Sequence, residues 1–156
     1  MRVKAIPPPP TSLETVDAAR RAVPLVPGDE DDCCARIMDR IDIAGRDEAR
    51  IWLTFLRGLG LVREGPSGFV RTQSSVDLPI AFREGIFGAT ELLELLDEAA
   101  APVTVSTATE RFRIPEWERR RYQDPAGIWQ ERIRFILEWL VLLGEARRTD
   151  DGYVRD

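Results

Sequence analysis

Three arginines share one face of a predicted helix and are the first candidates for chemistry in this chain of 156 residues. At about 100° per residue, Arg46, Arg50 and Arg57 fall within a narrow sector beside Thr54 and opposite Phe55. A guanidinium group can pair bidentately with guanine or with phosphate oxygens. The spacing therefore favours a helix that meets DNA. The alternative is a solvated face whose charge is neutralised by the acids of the first turn.

Groups suited to catalysis are sparse. The chain has no histidine, and its two cysteines are adjacent, at Cys33 and Cys34, so they do not make a disulfide framework. Gly58-Leu59-Gly60 ends a helix rather than following a strand, unlike a phosphate-binding loop. Residues 29–32 are all acidic, but they lack the spacing of a calcium loop and suit a helix N-terminus. We predict no enzyme, no cofactor and no metal; a carboxylate pair lining a deep pocket would indicate otherwise.

The helix that carries the arginines belongs to a repeat. Residues 46–71 align without a gap on residues 130–155, at an offset of 84 residues. Nine aligned positions are identical: Arg50/Arg134, Leu53/Leu137, Leu56/Leu140, Leu59/Leu143, Gly60/Gly144, Arg63/Arg147, Gly68/Gly152, Val70/Val154 and Arg71/Arg155. Such a repeat indicates that one architecture occurs twice along the chain.

Each copy reads as a helix, a glycine, a strand, a tight turn and a second strand. Apolar residues recur at helical spacing up to a glycine that suits a left-handed C-cap. The turns at 65–68 and 150–152 are rich in Gly, Pro, Ser and Asp, as hairpin turns are. This order resembles the end of a winged helix-turn-helix domain. The resemblance implies a mainly α fold with small β wings, an α+β arrangement of two tandem winged helix-turn-helix domains.

The first half supplies the remaining helices of one such domain. Residues 1–10 form a Pro-rich arm, in which residues 7–10 are expected to adopt a short polyproline II conformation. We interpret this segment as a stiff solvated leader, with a ligand for an aromatic groove as the alternative. Domain 1 covers residues 11–72, and Thr11 with Glu14 is predicted to cap its first helix. A second helix follows the acidic run, residues 42–45 form the turn, and residues 46–59 form the third helix.

The second half has the same plan with one addition. Residues 73–89 are too apolar for a free linker and are expected to pack against one or both domains. Domain 2 covers residues 90–156, with a helix at 90–99, a short strand at 102–105 and a cap at Thr107 with Glu110. Residues 112–122 have no counterpart in the first half. Asp124-Pro125 starts the last long helix, which runs to Leu143.

The charge balance argues against a general polyanion binder. The net charge is −5, whereas phosphate binding is driven by accumulated Lys and Arg. The longest uncharged apolar run, residues 139–143, is far shorter than the roughly 20 residues that a membrane span needs. The N-terminus also lacks the apolar core of a signal peptide. We expect a soluble cytoplasmic protein without membrane contact.

The third helix of the second copy differs in character. The positions of the arginine stripe hold Gln130, Arg134, Glu138 and Val141, so the basic face is lost. Apolar side chains cover a wide arc instead, which indicates burial on more than one side. We predict that Phe135, Trp139 and Leu142 contact a protein partner or a second copy of the chain. Alternatively, the segment around residues 80–87 folds back over them.

Two classes of function follow. In the first, a transcriptional regulator contacts double-stranded DNA through domain 1, with wing residues Arg63 and Arg71 reaching flanking phosphates, and assembles through domain 2. In the second, the chain is an interaction subunit or adaptor. Its layout is similar to that of the kleisin-interacting tandem winged-helix proteins of chromosome-organising complexes and to winged-helix subunits of the endosomal sorting machinery. We predict DNA binding and keep the interaction module as the alternative.

Overall fold

The computed structural model describes residues 2–156 and divides the chain into two compact units. The first unit ends at Phe87, and the second is Gly88–Asp156. Both contain helices followed by a two-stranded antiparallel wing, so the prediction of tandem winged-helix domains is confirmed. Within the described residues, no helix has the length and apolarity required to cross a bilayer.

The first unit contains four helices and one wing. Its elements are α1 (Glu14–Ala22), α2 (Glu30–Ile41), α3 (Arg46–Gly58), β1 (Val62–Gly65), β2 (Gly68–Arg71) and α4 (Leu78–Gly85). Asp29 caps α2, accepting a hydrogen bond from the backbone N–H of Asp32 at 2.7 Å, so the acidic run stabilises the start of this helix. Asp42 adopts a left-handed conformation (φ 56°) and turns the chain from α2 into α3.

The wing of the first unit is widened by a third segment. The two strands pair in the register Val62↔Arg71 to Gly65↔Gly68. On the other edge of β2, the amides and carbonyls of Gly28 and Phe69 exchange two hydrogen bonds, of 2.9 and 2.8 Å. A Cβ atom on Gly68 would lie 2.5 Å from the carbonyl oxygen of Gly28. The close approach of the loop between α1 and α2 therefore requires a glycine at this position.

The second unit repeats this arrangement. Its elements are α5 (Ala89–Glu98), α6 (Val105–Arg111), α7 (Glu116–Arg121), α8 (Pro125–Leu142), β3 (Ala146–Thr149) and β4 (Gly152–Arg155). Val103 and Tyr153 exchange two backbone hydrogen bonds, of 2.9 and 2.8 Å, in the place of Gly28 and Phe69. The additional helix α7 lies in the part of the chain that has no counterpart in the first half.

The predicted caps and the predicted short strand are wrong in detail. Thr11 does not cap α1: the helix begins at Glu14, whose amide donates to the Ser12 hydroxyl at 3.1 Å. Thr104 rather than Thr107 caps α6, because its hydroxyl accepts from the Thr107 amide at 3.1 Å. Only Val103 of residues 102–105 pairs with a strand. Helix α6 starts two residues later, so the residues available for extended pairing are few.

The start of the chain is packed rather than solvated, which corrects the interpretation of the arm. The amide of Val3 donates to the carbonyl of Gly85 at 2.8 Å, and the amide of Phe87 donates to the carbonyl of Val3 at 2.9 Å. Val3, Ile6 and Pro7 are buried. Burying these apolar side chains is favourable by about 25 cal/mol per Å² of apolar surface removed from water, and a solvated leader would forgo this free energy.

Helix α4 packs on α3 through glycines. The rings of Phe82 and Phe55 meet edge to face at 6.2 Å. A Cβ atom on Gly85 would lie 1.9 Å from the carbonyl oxygen of Gly58. Gly58 aligns with Leu142 of the second copy. A Cβ atom on Gly58 would lie 2.4 Å from the Val3 side chain and 3.4 Å from the carbonyl oxygen of Gly85, so the first copy has no room for a side chain at this position.

We predict that Gly85→Ala destabilises the first unit by about 1–3 kcal/mol, the usual range for overpacking. The added methyl group meets backbone, which cannot move aside as a flexible side chain can. Gly65→Ala is the matched control, since a Cβ atom there meets nothing within 4 Å. Urea unfolding of both variants checks the difference, and equal stabilities would contradict the packing described here.

Candidate nucleic-acid interface

The core of the first unit fixes which face of α3 meets solvent. Five residues of this helix are buried: Ala49, Trp52, Leu53, Phe55 and Leu56. The rings of Trp52 and Phe55 meet edge to face at 5.8 Å. Because this face is held in the core, the opposite face carries Arg46, Arg50 and Arg57 outward. Their side chains are 47%, 54% and 30% exposed.

Each of the three arginines has an acidic partner. Arg46 pairs with Asp31 and Arg57 with Glu64, while the Nε atom of Arg50 lies 2.8 Å from Oε1 of Glu30. Two of the partners come from the first turn of α2 and one from β1. Asp47 and Glu48, the acids expected to neutralise the stripe, are thus not the partners in these ion pairs. The charge of the stripe is offset by tertiary contacts that the helical periodicity of α3 alone does not reveal.

These ion pairs restrain the arginines only weakly. All of them lie at the surface, with partner exposures of 44–75%, and exposed pairs contribute only about 0–1 kcal/mol each. A phosphate or a guanine edge can replace a carboxylate at small cost, since the guanidinium group keeps its charge and its hydrogen-bond geometry. The face can therefore exchange an internal anion for an external one.

The remaining predicted site residues are spread over the unit. Thr54 is half-buried on the same helix, and Arg63 is exposed on β1. Arg71 is half-buried at the end of β2 that is farther from the wing turn, and it lines a surface depression together with Arg20 and Arg21 of α1. Sequence reasoning missed Arg20 and Arg21. The available signal was their position in the last turn of α1, but basic residues are common there because they stabilise the helix dipole.

In the second unit, α8, which aligns with α3, also contacts its wing, but here the helix supplies the anion and the wing supplies the cation. Glu138 of α8 accepts hydrogen bonds from Arg148 of β3 and from the hydroxyl of Tyr153 of β4. Burial raises the pKa of the Glu138 carboxyl, but the hydrogen bonds from Arg148 and Tyr153, with the nearby arginine charges, bring this pKa below its ordinary value. In the first unit the helix supplies the cation, Arg57, and the wing supplies the anion, Glu64.

The predicted interface on α8 is wrong for its central residue. Trp139 is 1% exposed within the single chain and is part of the core. Phe135 and Leu142 are half-buried, and the Arg134 guanidinium lies 5.1 Å from the Phe135 ring centre. Trp139 is thus covered within the chain, whereas Phe135 and Leu142 keep a partly exposed surface. Contact of a partner with Phe135 and Leu142 stays a prediction.

The additional segment of the second unit, residues 112–122, places aromatic and charged side chains in the interior of that unit. Phe112 stacks on Trp129 at 5.1 Å, and the guanidinium of Arg132 lies 5.2 Å from the Trp129 ring centre. Glu118 of α7 is fully buried. Burial lowers the pKa of Arg132 to about 10, against the opposing charges of Glu118 and Tyr122. These contacts tie α7 to α8, so the segment serves the core of its own unit.

The two cysteines show no sign of thiolate chemistry. Both side chains are buried. Burial, with the negative charge of Asp32, raises the pKa of the Cys33 thiol to about 11, so it is protonated at neutral pH. They pack as small apolar groups, and the Sγ atom of Cys33 lies 3.7 Å from the carbonyl oxygen of Gly28.

The repeated helix-turn-helix and wing define a tandem winged-helix protein. The chain belongs to the family described as the halobacterial double winged helix domain, whose family model matches residues 1–156. Comparisons with curated proteins and with solved structures give no match. The family name states the fold and the repeat, in agreement with the two units of this chain.

We predict that Trp139→Ala lowers the free energy of unfolding by about 3–5 kcal/mol, the usual cost of truncating a buried tryptophan. Trp117→Ala is the matched control, because Trp117 is 54% exposed and should cost far less. Chemical unfolding of each full-length variant measures both. A Trp139→Ala variant that keeps its stability but loses a partner would restore the interface interpretation.

We also predict a pH dependence from Glu138. Its lowered pKa means that the ionised form is stabilised on folding, so this contribution is complete well above the ordinary value of 4.5 and is lost as the pH falls through the folded pKa. The stability difference between wild type and Glu138→Gln should thus be constant near neutral pH and shrink in acid. A difference that does not change with pH would contradict this account.

Proposed function

We propose that the first unit binds double-stranded DNA with α3 in the major groove, and that the protein is a transcriptional regulator. The observation that supports this proposal is the solvent face of α3, where three partly exposed arginines are held only by surface ion pairs. On binding, Arg46, Arg50 and Arg57 exchange these carboxylates for phosphates or guanine edges. Thr54 lies beside them on the same helix and adds a hydroxyl.

The wing extends the proposed contact. In winged helix-turn-helix proteins the third helix reads the groove, and flanking elements contact the backbone. Arg63 is exposed on β1, one residue after the start of the wing strand, and is suited to a flanking phosphate. With about three to five phosphates neutralised in this way, the logarithm of the affinity should fall with the logarithm of the salt concentration at a slope of roughly −3 to −4.5.

The second unit has a different role in this proposal. Its third helix carries Glu138 and Val141 where the first copy has Thr54 and Arg57, and Glu138 is engaged with the wing. It therefore offers little to a phosphate backbone. We assign it to assembly with a protein partner or a second copy, with Phe135 and Leu142 at the partly exposed edge of α8.

The alternative function is a protein-interaction subunit, and one observation favours it. The acidic start of α2 lies directly beside the arginine stripe, so the local surface is of mixed sign. The first unit up to Phe87 has 12 basic and 13 acidic side chains, a net charge of −1. Alternating charges of this kind suit a protein partner with complementary pairs better than a polyanion.

We predict that replacing Arg46, Arg50 and Arg57 by Ala weakens binding to duplexes from a random-sequence library by about tenfold or more, because charge-assisted hydrogen bonds are lost. The folded structure should persist, since surface changes usually alter stability by less than about 0.5 kcal/mol. Arg134→Ala is the matched control: it is the repeat partner of Arg50 and equally exposed, at 54%. Its affinity for DNA should equal that of wild type.

A second arm separates DNA from a protein partner. Glu30→Gln with Asp31→Asn removes two of the carboxylates that compete with phosphate, so the affinity for duplex DNA should rise. Circular dichroism verifies that α2 still forms without these acids. Failure of the wild type to bind any duplex at low salt would reject the regulator proposal. Tighter DNA binding by the variant that lacks Arg46, Arg50 and Arg57 would also reject the regulator proposal.

A further inference from the structure

The first unit contains a basic depression separate from the solvent face of α3. It has a volume of about 380 Å³ and lies where the end of α1 meets the end of β2. Arg20, Arg21 and Arg71 line it, together with Asp17 and the exposed side chain of Leu25. Three arginines thus line one small depression in a chain whose net charge is −5.

The positive charges of this depression are only partly balanced. The Nε atom of Arg21 lies 3.1 Å from Asp17, but both side chains are mostly exposed, so the pair is weak. Arg20 donates to uncharged groups, the carbonyl oxygens of Thr72 and Ser74 at 2.6 and 2.8 Å. Among residues 2–156, no acidic side chain forms an ion pair with Arg71. One carboxylate therefore faces three arginines.

The second unit offers an internal comparison, because Arg155 is the repeat partner of Arg71. Its Nε atom lies 3.1 Å from Asp97, and its Nη1 atom lies 2.7 Å from Glu145. Neither acid is present in the first copy. Glu145 aligns with Leu61, and Asp97 is the next-to-last residue of α5, as Arg21 is of α1. The same corner of the fold is thus neutralised in one unit and left basic in the other.

The backbone around the depression is fixed before any ligand arrives. The amide of Arg71 donates to the carbonyl of Pro24 at 2.8 Å, and that of Thr72 donates to the carbonyl of Leu61 at 3.1 Å. The hydroxyl of Thr72 donates to the carbonyl of Gly60 at 2.8 Å. An anion that enters would meet arginines whose main chain is already ordered, which reduces the entropic cost of binding.

We propose that this depression is a binding site for a phosphate group. Arginine forks match the oxygens of phosphate, and the surplus of positive charge favours a dianion. The volume accommodates a phosphate with a small organic substituent, for which Leu25 supplies an apolar wall. The phosphate comes either from a free phosphorylated small molecule or from the backbone of bound DNA. The site does not depend on DNA binding by α3.

A titration of the isotope-labelled full chain with inorganic phosphate tests the site. Nuclear magnetic resonance should detect saturable shifts at the amides of Leu25, Thr72 and Gln73, and sodium chloride at equal ionic strength should not reproduce them. Arg71→Gln should weaken the affinity at least about tenfold. Arg21→Gln should do the same, and its largely exposed side chain makes it safe for folding. Arg40→Gln, an equal loss of charge on the exposed part of α2, should have no effect.

The two sources of phosphate are distinguished by adding a short duplex to the phosphate-saturated protein. Displacement of inorganic phosphate identifies the DNA backbone as the occupant, and simultaneous binding identifies a free phosphorylated molecule. Phosphate binding without any duplex binding would reject the regulator proposal and leave the site intact. Shifts that sodium chloride reproduces, or an affinity unchanged by both Arg71→Gln and Arg21→Gln, would overturn the site.

Discussion

The second strand of each wing is hydrogen-bonded along both edges, and the placement of the other elements in each unit follows from this constraint. In the first unit the outer partner is Gly28, in the loop between α1 and α2, and in the second it is Val103, just before α6. Such close pairing requires a residue without a side chain at the start of the strand. Gly68 and Gly152 meet this requirement, with φ angles of 126° and 135°. The loop that precedes each helix-turn-helix is thereby tied to the wing that follows it.

Local signals in the sequence were sufficient for the repeated core and insufficient for the charges around it. The spacing of Trp52, Phe55 and Leu56 predicts the buried face of α3 because helical period and burial are directly linked. The pairing of Arg50 with Glu30 was not predictable in the same way. Glu30 lies 20 residues earlier, and the capping role of its neighbours already explained its presence. The burial of Val3 was missed for a similar reason, since it depends on a partner strand segment more than 80 residues away.

The two copies have kept one scaffold and diverged where each meets its surroundings. Gly58 leaves space for Val3 and for the end of α4, whereas Leu142 at the same position keeps a side chain. Arg71 faces a basic depression, whereas Arg155 is held by two acids. The third helix of the first unit presents arginines to solvent, and that of the second is engaged with its own wing and core. Divergence of this kind is what a division of labour between two equal folds would require.

The opposite polarity of the two contacts between helix and wing also bears on how a duplicated chain avoids misassembly. Proteins with internal repeats are prone to exchange equivalent segments while they fold. Glu64 and Arg148 occupy equivalent places in the two wings. If the wings changed places, Arg57 would face Arg148 and Glu138 would face Glu64, so attraction would become repulsion at both contacts. Each third helix therefore carries a charge that distinguishes its own hairpin from the hairpin of the other copy.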